Sequence, residues 1–402
     1  MIPRIRQIQI QNYKSIERAV IDLEPFTVFV GPNGAGKSNF VDALAFVQEC
    51  LSRSIETAWE LRGGPGIPTR QKGEPVAFGF RLLLDLAEQM TADYSFEILA
   101  EGVEFTVNHE RCVVHGGEAG TAAFEVVQGN FVREIPGIRP QLSADRLALF
   151  AASALAEFRP VYDFLRSIRS YSIEPAQLRQ SQKLDSGESL KADGSNAASV
   201  LNHLYQLSKQ GRDEQERYSL ICGLLTIIVP GLLAVEPASD GTGREAILKF
   251  LQKSEADGPE TCSSKEMSDG TLRVLGLLLA LYQPHHPSVL LIEEPETNVH
   301  PAMAEVLTEV LLDAAHDQQI LITTHSPDLL DFKELSSQQI RVVSRDRGRT
   351  VIAPMSQASR QAVVERLYTP GELLRINELD QDVSEADRAV GKLDLFGNAP
   401  PS

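Results

Sequence analysis

The sequence predicts an α/β fold that combines a mixed sheet, an antiparallel β-layer and an inserted helical lobe. Three short apolar runs, at residues 26–30, 289–292 and 320–324, end at a glycine or at polar side chains, as buried strands do. Residues 76–128 hold alternating segments separated by turn residues, which is typical of antiparallel strands. Amphipathic patterns at 197–209 and 214–228 predict the helices of the lobe.

These patterns predict four regions along the chain. Residues 1–175 form the first part of the core, with an N-terminal hairpin, the antiparallel layer and a helix at 147–164. Within the layer, 103–108 and 111–115 are interpreted as separate strands joined by a turn at His109 and Glu110. Residues 176–265 form a helical lobe with a mobile polar loop at 177–195. Residues 266–378 form the second part of the core, and residues 379–402 form a flexible acidic tail.

The bulk composition excludes several classes of protein. A formal net charge of −17 argues against a protein whose surface binds nucleic acid extensively. A local basic groove or a basic partner is compatible with this charge. Four widely separated cysteines, with no CxxC pair, suggest neither a zinc site nor a disulfide framework. The longest apolar run, at 274–282, is too short to cross a membrane, and the N-terminus lacks the apolar core of a signal peptide. We therefore expect a cytoplasmic globular protein.

The first apolar strand leads into a loop with the spacing of a phosphate-binding motif, GPNGAGKS at residues 31–38. Its glycines let successive backbone amides converge on phosphates, and the helix that follows has an N-terminus that favours anions. Lys37 supplies a positive charge to the phosphate oxygens, and the Ser38 hydroxyl can ligate Mg²⁺. The predicted nucleotide-binding residues are Asn33, Gly34, Ala35, Gly36, Lys37, Ser38 and Asn39.

Polar side chains also end the other two apolar strands. Glu293 and Glu294 follow one strand to the carboxyl edge of the sheet, where α/β folds place their ligands. We predict that Glu293 holds Mg²⁺, directly or through water, and that Glu294 polarises the attacking water as a general base. His325 ends the third strand at the same edge, where it would touch a γ-phosphate; a structural role is its alternative.

Two further segments are candidates for contacts with the nucleotide. A turn of small residues, MSDGT at 267–271, precedes a long apolar helix and would offer Ser268 and backbone amides to an anion, or serve only as a helix cap. In the polar loop, any one of three glutamines would sense a γ-phosphate, with simple solvation as the alternative; they are Gln177, Gln180 and Gln182.

The order of these motifs resembles ABC-type ATPases of the SMC, RecF and OLD-like class, particularly short ATPases without coiled-coil arms or an appended nuclease. The resemblance rests on NYKS at 12–15, the phosphate loop, MSDGT at 267–271, EEPETNVHP at 293–301 and THSP at 324–327. It covers the nucleotide-binding core, whereas residues 76–265 resemble the class only in layout. It implies the fold of a P-loop ATPase head, ATP and Mg²⁺ as cofactors, and catalysis by Lys37, Glu294 and His325.

The resemblance also implies an assembly. In that class two subunits sandwich two ATP molecules, and the signature turn of one subunit completes the site of the other. Ser268 and Gly270 would therefore act on the γ-phosphate held by a second copy, in a homodimer or a higher oligomer. Asn298 and His300 would lie at the seam. The chain departs from the class at Glu293, where many relatives have aspartate.

The leading hypothesis is an ATP hydrolase whose ATP-driven dimerisation controls a nucleic-acid-related process, in anti-phage defence or in DNA repair and maintenance. The alternative is a nucleotide-gated scaffold or sensor that regulates a partner nuclease or toxin with little turnover. The segment after His325 is too short for a complete nuclease domain, so we expect any cleavage to belong to a separate effector protein. Nucleic acid would then be bound directly or through that partner, and no membrane is expected.

Overall fold

The computed structural model describes residues 2–67, 76–87, 89–117, 120–133, 142–143, 145–239, 245–254 and 258–397. The chain divides into two compact units. Unit 1 comprises Met1–Arg169 and Ala315–Ser402, and unit 2 comprises Ser170–Ala314. Unit 1 is therefore built from both ends of the chain, whereas unit 2 is one continuous segment.

The described residues form the following elements. The strands are β1 (Arg4–Tyr13), β2 (Ile16–Asp22), β3 (Phe26–Val30), β4 (Val76–Ala87), β5 (Met90–Glu101), β6 (Glu104–His115), β7 (Thr121–Val127), β8 (Asn130–Arg133), β9 (Arg169–Tyr171), β10 (Gln182–Lys183), β11 (Leu232–Ser239), β12 (Glu245–Gln252), β13 (Glu260–Ser263), β14 (Val289–Glu293), β15 (Gln319–Thr324), β16 (Ile340–Asp346) and β17 (Arg349–Pro354). The α-helices are α1 (Lys37–Ser52), α2 (Ile55–Glu60), α3 (Ala148–Ala152), α4 (Arg159–Arg166), α5 (Pro175–Arg179), α6 (Ala197–Leu207), α7 (Arg212–Ile228), α8 (Asp269–Tyr282), α9 (Pro301–Ala314), α10 (Pro327–Leu330), α11 (Gln357–Val364), α12 (Pro370–Arg375) and α13 (Val383–Gly391).

A seven-stranded antiparallel sheet forms one layer of unit 1, in the order β2-β1-β4-β5-β6-β7-β8. Aromatic rings dominate its buried face. Tyr13, Phe80 and Phe96 are fully buried, and the ring centroids of Tyr13 and Phe80 lie 5.3 Å apart in an edge-to-face arrangement. Such rings bury large apolar areas and favour edge contacts. The predicted antiparallel β-layer is thus present, with the N-terminal hairpin as two of its strands.

Two details of this unit differ from the predictions. Strand β6 runs through His109 and Glu110, where a turn was predicted. Both side chains have partners within the fold: His109 Nε2 lies 2.7 Å from Glu125 Oε1, and Glu110 accepts the backbone N–H of Leu149 at 2.8 Å. The predicted helix at 147–164 is two helices, α3 and α4, because Pro160 favours the start of a new helix.

Strand β3 lies at the centre of the second group of strands in unit 1. All five of its residues are buried, and it pairs in parallel with β15 and with β16. Strand β17 pairs antiparallel with β16, so this group of strands is mixed, as predicted. The register aligns Thr324 with Val30. The loops that follow β3 and β15 therefore begin at the same edge of the sheet.

The region predicted to be a flexible tail contains packed residues up to 397. Helix α13 occupies part of it, and Leu395 is buried. The Phe396 ring stacks on His109 with centroids 3.6 Å apart, and Arg81 Nη1 donates a hydrogen bond to the Asp394 carbonyl. Leu395 and Phe396 are two adjacent apolar residues, and so short a pattern has no periodicity that would predict their packing. Residues 398–402 lie outside the described part of the chain.

Helix α8 forms the core of unit 2. Its residues from 270 to 281 are all buried, and α5, α6 and α7 pack against it. Burial on every side explains why its sequence from 272 to 281 is apolar apart from Arg273 and Gly276. Strands β10, β12 and β11 form a small antiparallel sheet, with β13 paired to β12. Both predicted amphipathic helices are present, as α6 and α7.

The polar loop of unit 2 is internally hydrogen-bonded. Asn196 is 2% exposed; its side-chain amide donates to Asp185 and to the Ser189 carbonyl, both at 3.0 Å, and accepts from the Lys191 N–H at 2.8 Å. The polar side chains of this loop therefore form hydrogen bonds with groups of the same loop. Across the described residues, no helix combines the length and the hydrophobicity that a membrane span requires.

Candidate nucleotide-binding site

Two glycines shape the loop between β3 and α1. Gly34 and Gly36 have φ angles of 78° and 109°, in the left-handed region that favours glycine. A Cβ atom added at Gly34 would meet nothing within 4 Å, whereas one at Gly36 would lie 1.9 Å from Thr350 Oγ1. The loop is therefore open around Gly34 and closely packed behind Gly36.

Lys37 begins helix α1 and is 6% exposed. Its Nζ donates hydrogen bonds to the carbonyls of Gly31 at 2.7 Å and Pro32 at 3.2 Å. The carbonyls of Gly31 and Pro32 thus hold the Lys37 ammonium group close to the phosphate loop. Ser38 is exposed beside it. An ammonium group and an exposed serine at a helix N-terminus provide a charge and an oxygen ligand for a phosphate–metal complex.

A chain of polar side chains supports the back of the loop. Asn39 Nδ2 donates to Ser15 Oγ at 2.5 Å, and Ser15 Oγ lies 2.6 Å from Thr350 Oγ1. Thr350 Oγ1 donates to the Ala35 carbonyl at 2.8 Å. The sequence indicated Ser15 and Asn39 but gave no signal for Thr350, which belongs to no motif and is more than 300 positions away in the chain.

His325 lies at the edge of the sheet where the phosphate loop begins. It follows Thr324, whose carbonyl accepts the Gly31 N–H at 3.4 Å. The imidazole is exposed, and the Ser326 N–H donates to Thr324 Oγ1 at 2.9 Å. Unit 1 therefore brings His325 and the phosphate loop together, as the strand pattern predicted.

The NYKS segment forms the turn between β1 and β2. Both the Tyr13 hydroxyl and Lys14 Nζ lie 2.6 Å from Asp42 Oδ2 on helix α1, and Arg62 Nε donates to Asp42 Oδ1 at 2.9 Å. Burial, followed by the nearby Asp42 charge, raises the pKa of the Tyr13 hydroxyl well above its usual value. The turn is thus fastened to the helix that starts at the phosphate loop.

Two predicted site carboxylates, the metal ligand Glu293 and the general base Glu294, lie at the end of strand β14 in unit 2. The strand is buried up to Ile292, and Glu293 and Glu294 are half-buried. Glu294 has a φ of 46°, an uncommon conformation for a residue with a side chain. Thr297 stabilises the turn, because its N–H donates to the Glu294 carbonyl at 3.1 Å and its hydroxyl to Glu294 Oε2 at 3.3 Å.

A buried arginine connects these carboxylates to helix α8. Arg273 is 7% exposed, and its Nη2 donates to the carbonyls of Glu293 at 3.2 Å and Glu294 at 2.9 Å. Its Nη1 donates to the Ile173 carbonyl at 3.0 Å. Burial lowers the pKa of the Arg273 guanidinium. The sequence did not indicate this residue, because a single arginine within an otherwise apolar helix matches no motif.

The signature turn caps helix α8 and lies beside the segment that follows Glu294. Ser268 is exposed and accepts the Thr271 N–H at 3.2 Å, as an N-cap does. A Cβ atom added at Gly270 would lie 2.6 Å from the Asn298 carbonyl, so only glycine allows this approach. Asp269 pairs with Arg179 at 2.6 Å. Unit 2 thus brings Ser268, Gly270 and Asn298 to one region.

The three glutamines have different surroundings. Gln182 is 4% exposed; its Nε2 donates to the Gln177 carbonyl at 3.0 Å, and its Oε1 accepts the Ala198 N–H at 2.8 Å. Both ends of this amide are occupied by backbone groups, so the γ-phosphate role proposed for Gln182 is replaced by a structural one. Gln180 is exposed and Gln177 is half-buried.

The predicted residues therefore form two sets, one in each unit. Unit 1 holds the phosphate loop and His325, and unit 2 holds Glu293, Glu294 and the signature turn. The donors fit a nucleotide with Mg²⁺, because the loop is open at Gly34 and carries the exposed residue Ser38. Among the described residues, no group of three or more His, Cys, Asp or Glu side chains could hold a metal ion. Mg²⁺ commonly uses one or two protein oxygens together with phosphates and water.

Two families of known ATPase domains match parts of the chain. Residues 139–331 match the family described as "AAA domain, putative AbiEii toxin, Type IV TA system". Residues 4–77, which include the phosphate loop, match the family described as "AAA ATPase domain".

The chain is also similar to curated proteins of phage and archaeal origin. The Old nuclease of Escherichia phage P2 is 22% identical over 393 residues, which cover 92% of this chain and 63% of that protein. The chromosome partition protein Smc of Methanocaldococcus jannaschii is 48% identical over 44 residues, 11% of this chain and 4% of that protein. The chain thus spans less than two thirds of the length of either relative.

Solved structures with a similar fold are Smc head domains. A head bound to the C-terminal winged-helix domain of ScpA has a TM-score of 0.54 at 13% identity, over 88% of this chain and 99% of that one. The Smc head of Pyrococcus furiosus, with an extended coiled coil and bound to the C-terminal domain of ScpA, has a TM-score of 0.52 at 13% identity, over 91% and 100%. The predicted fold, a P-loop ABC-type ATPase head, and the predicted resemblance are confirmed.

Proposed function

We propose that this chain, an ATPase of the SMC, RecF and OLD-like class, hydrolyses ATP at a site built on its phosphate loop. One observation carries the proposal: a buried strand leads through two left-handed glycines to a helix whose first residue, Lys37, directs a buried ammonium group onto the loop. Backbone amides at a helix N-terminus, next to a fixed positive charge, suit the phosphates of a nucleotide.

Each predicted residue has a defined task in this proposal. Lys37 neutralises charge on the β- and γ-phosphates, while the other residues of 33–39 bind the nucleotide through backbone and hydroxyl groups. Ser38 and Glu293 hold Mg²⁺, which when bound neutralises charge on the phosphate oxygens. Glu294 accepts a proton from the attacking water, and His325 contacts the γ-phosphate.

The proposed active form is a head-to-tail homodimer, or a higher oligomer built from it. Ser268 is exposed, and Gly270 lies against the Asn298 backbone, so the two segments present one surface to a second copy. Backbone amides and a hydroxyl on that surface suit the γ-phosphate held by the other copy.

For the biological role we propose anti-phage defence or DNA maintenance in the cytoplasm, with a separate effector such as a nuclease. The family description, which names a toxin, and the 22% identity to a phage Old nuclease support the first role. The likeness to chromosome partition proteins supports the second. The net charge of −17 favours a protein partner over extensive direct binding of nucleic acid.

Hydrolysis by the Glu294→Gln variant tests the catalytic proposal. Steady-state ATP hydrolysis should fall by about 100-fold or more, because a general base contributes about 10²–10⁴-fold. The variant should still bind Mg-ATP and, with hydrolysis blocked, should accumulate as a two-copy assembly in light scattering.

The matched control is Glu305→Gln, which removes an exposed carboxylate on α9 and should leave the rate unchanged. Hydrolysis at the unchanged rate by Glu294→Gln would exclude this residue as the base. A wild-type protein that binds ATP without turnover would favour the nucleotide-gated scaffold.

A further inference from the structure

Thr350 occupies an unusual position for a residue of an edge hairpin. It is 3% exposed on strand β17, and its backbone N–H donates to the Ser15 carbonyl at 2.8 Å. Its Oγ1 contacts both the Ala35 carbonyl at 2.8 Å and Ser15 Oγ at 2.6 Å. The side chain therefore reaches the inner side of the phosphate loop, where a Cβ atom on Gly36 would collide with it.

The direction of the hydrogen bonds around Thr350 follows from the atoms involved. A carbonyl only accepts, so the single Thr350 hydroxyl proton is donated to Ala35. The Ser15 hydroxyl must then donate to Thr350 Oγ1, and it accepts in turn from Asn39 Nδ2 at 2.5 Å. The hydrogen bonds therefore run in one direction: Asn39 donates to Ser15, Ser15 donates to Thr350, and Thr350 donates to the Ala35 carbonyl.

We infer that Thr350 is a positioning residue for nucleotide binding: it fixes the peptide between Ala35 and Gly36 so that the Gly36 N–H faces the phosphates. In a planar trans peptide the C=O and the N–H point in opposite directions. Because the Ala35 carbonyl is held towards Thr350, the Gly36 N–H points away from Thr350, towards the opposite face of the loop. This inference rests on the proposed ATP-binding function.

The surrounding packing keeps this arrangement in place. Gly36 has a φ of 109° and lies in contact with Thr350, so the peptide on its amino side has little room to rotate. On strand β16, paired with β17, the Val343 carbonyl would lie 2.0 Å from a Cβ atom on Gly31. The β16–β17 hairpin thus packs directly behind both ends of the loop, and Thr350 donates a hydrogen bond to it.

Nucleotide binding by Thr350→Val and Thr350→Ser tests the inference. Valine keeps the shape but removes the donor, which leaves the Ala35 carbonyl buried without its partner. We expect Mg-ATP affinity, measured by calorimetry, to fall by about 10-fold or more, as the loss of a buried hydrogen bond predicts. Thr350→Ser keeps the hydroxyl and should bind within about 2-fold of wild type.

A second readout requires no nucleotide. Hydrogen exchange of the loop amides should be faster in nucleotide-free Thr350→Val than in wild type, because the Ala35–Gly36 peptide is no longer fixed. The matched control is Thr27→Val. Thr27 is fully buried on β3, and its hydroxyl bonds to the Glu24 carbonyl at 3.2 Å, at the opposite end of that strand from the loop. This variant should lose stability but keep its affinity for Mg-ATP.

The outcomes distinguish this inference from the proposed function. Wild-type protein that does not bind Mg-ATP contradicts the proposed function itself. Wild-type binding together with unchanged affinity and unchanged exchange in Thr350→Val contradicts only the role of Thr350. If Thr350→Val does not fold, Thr350→Ala decides, because it removes the same donor to the Ala35 carbonyl with a smaller side chain; unchanged affinity and exchange in that variant would overturn the inference.

Discussion

At the scale of single residues, Glu110 has a buried carboxyl group outside the candidate site. It is 1% exposed on strand β6, where it accepts hydrogen bonds from the N–H groups of Ala148 and Leu149 and from the Tyr94 hydroxyl at 3.0 Å. Burial raises the pKa of this carboxyl to about 7, against the lowering effect of those hydrogen bonds. The protonation of Glu110 is therefore coupled to folding.

The sign of this coupling gives a prediction. The folded-state pKa lies above the unfolded value of 4.5, so the folded protein binds more protons between the two values. The contribution of Glu110 to stability is complete below about pH 4.5 and is lost as the pH rises to about 7. The stability difference between wild type and Glu110→Gln should therefore change by about 2–3 kcal/mol between pH 5 and pH 8, measured by urea unfolding.

The control for that measurement is Glu104→Gln, an exposed glutamate on the same strand. Its stability difference from wild type should not depend on pH over this range. A difference for Glu110→Gln that is equally independent of pH would show that the buried carboxyl keeps its ordinary pKa.

Residues with a local motif could be predicted from the sequence, and residues placed by tertiary packing could not. The spacing of Lys37 and the glycines follows from the chemistry of phosphate binding, so it is visible in eight consecutive positions. Thr350 and Arg273 act through carbonyl groups that are distant in the sequence. The residues next to Thr350 and Arg273 in the sequence form no motif, so neither residue could be distinguished from other hydrogen-bonding side chains.

At the scale of elements, the buried strands were predicted best. An apolar run of four or five residues between polar boundaries has few alternatives in a folded chain, and β3, β14 and β15 all lie where such runs occur. The C-terminal segment was predicted poorly because two neighbouring apolar residues, Leu395 and Phe396, pack there and so short a pattern shows no periodicity. Leu395 is 4% exposed, and a Cβ atom on Gly79 would lie 2.9 Å from its Cδ1.

The anchoring role of Leu395 can be measured. Leu395→Ala should reduce the free energy of unfolding by about 2–3 kcal/mol, because it removes buried methyl groups and leaves a cavity. Val383→Ala, at a 45% exposed position on α13, should change it by less than about 0.5 kcal/mol. Equal and small effects in urea unfolding would indicate that residues 393–397 do not pack against the sheet in solution.

At the scale of the whole molecule, the predicted functional residues are divided between the two units. Unit 1 contributes the loop and His325, and unit 2 contributes the carboxylates and the signature turn. The order of motifs along the sequence was sufficient to predict the class of fold. Sequence alone does not fix the partner, because partner surfaces depend on side chains that have no required spacing.

Every proposed activity of this protein requires nucleotide binding at the phosphate loop, and calorimetric titration of Mg-ATP into the protein measures that binding. Wild type and Lys333→Ala, which removes an exposed lysine of unit 1, should bind with equal affinity. Lys37→Ala should bind about 10–100-fold more weakly, because a charge-assisted contact to phosphate is lost. Unchanged affinity in Lys37→Ala would contradict the account.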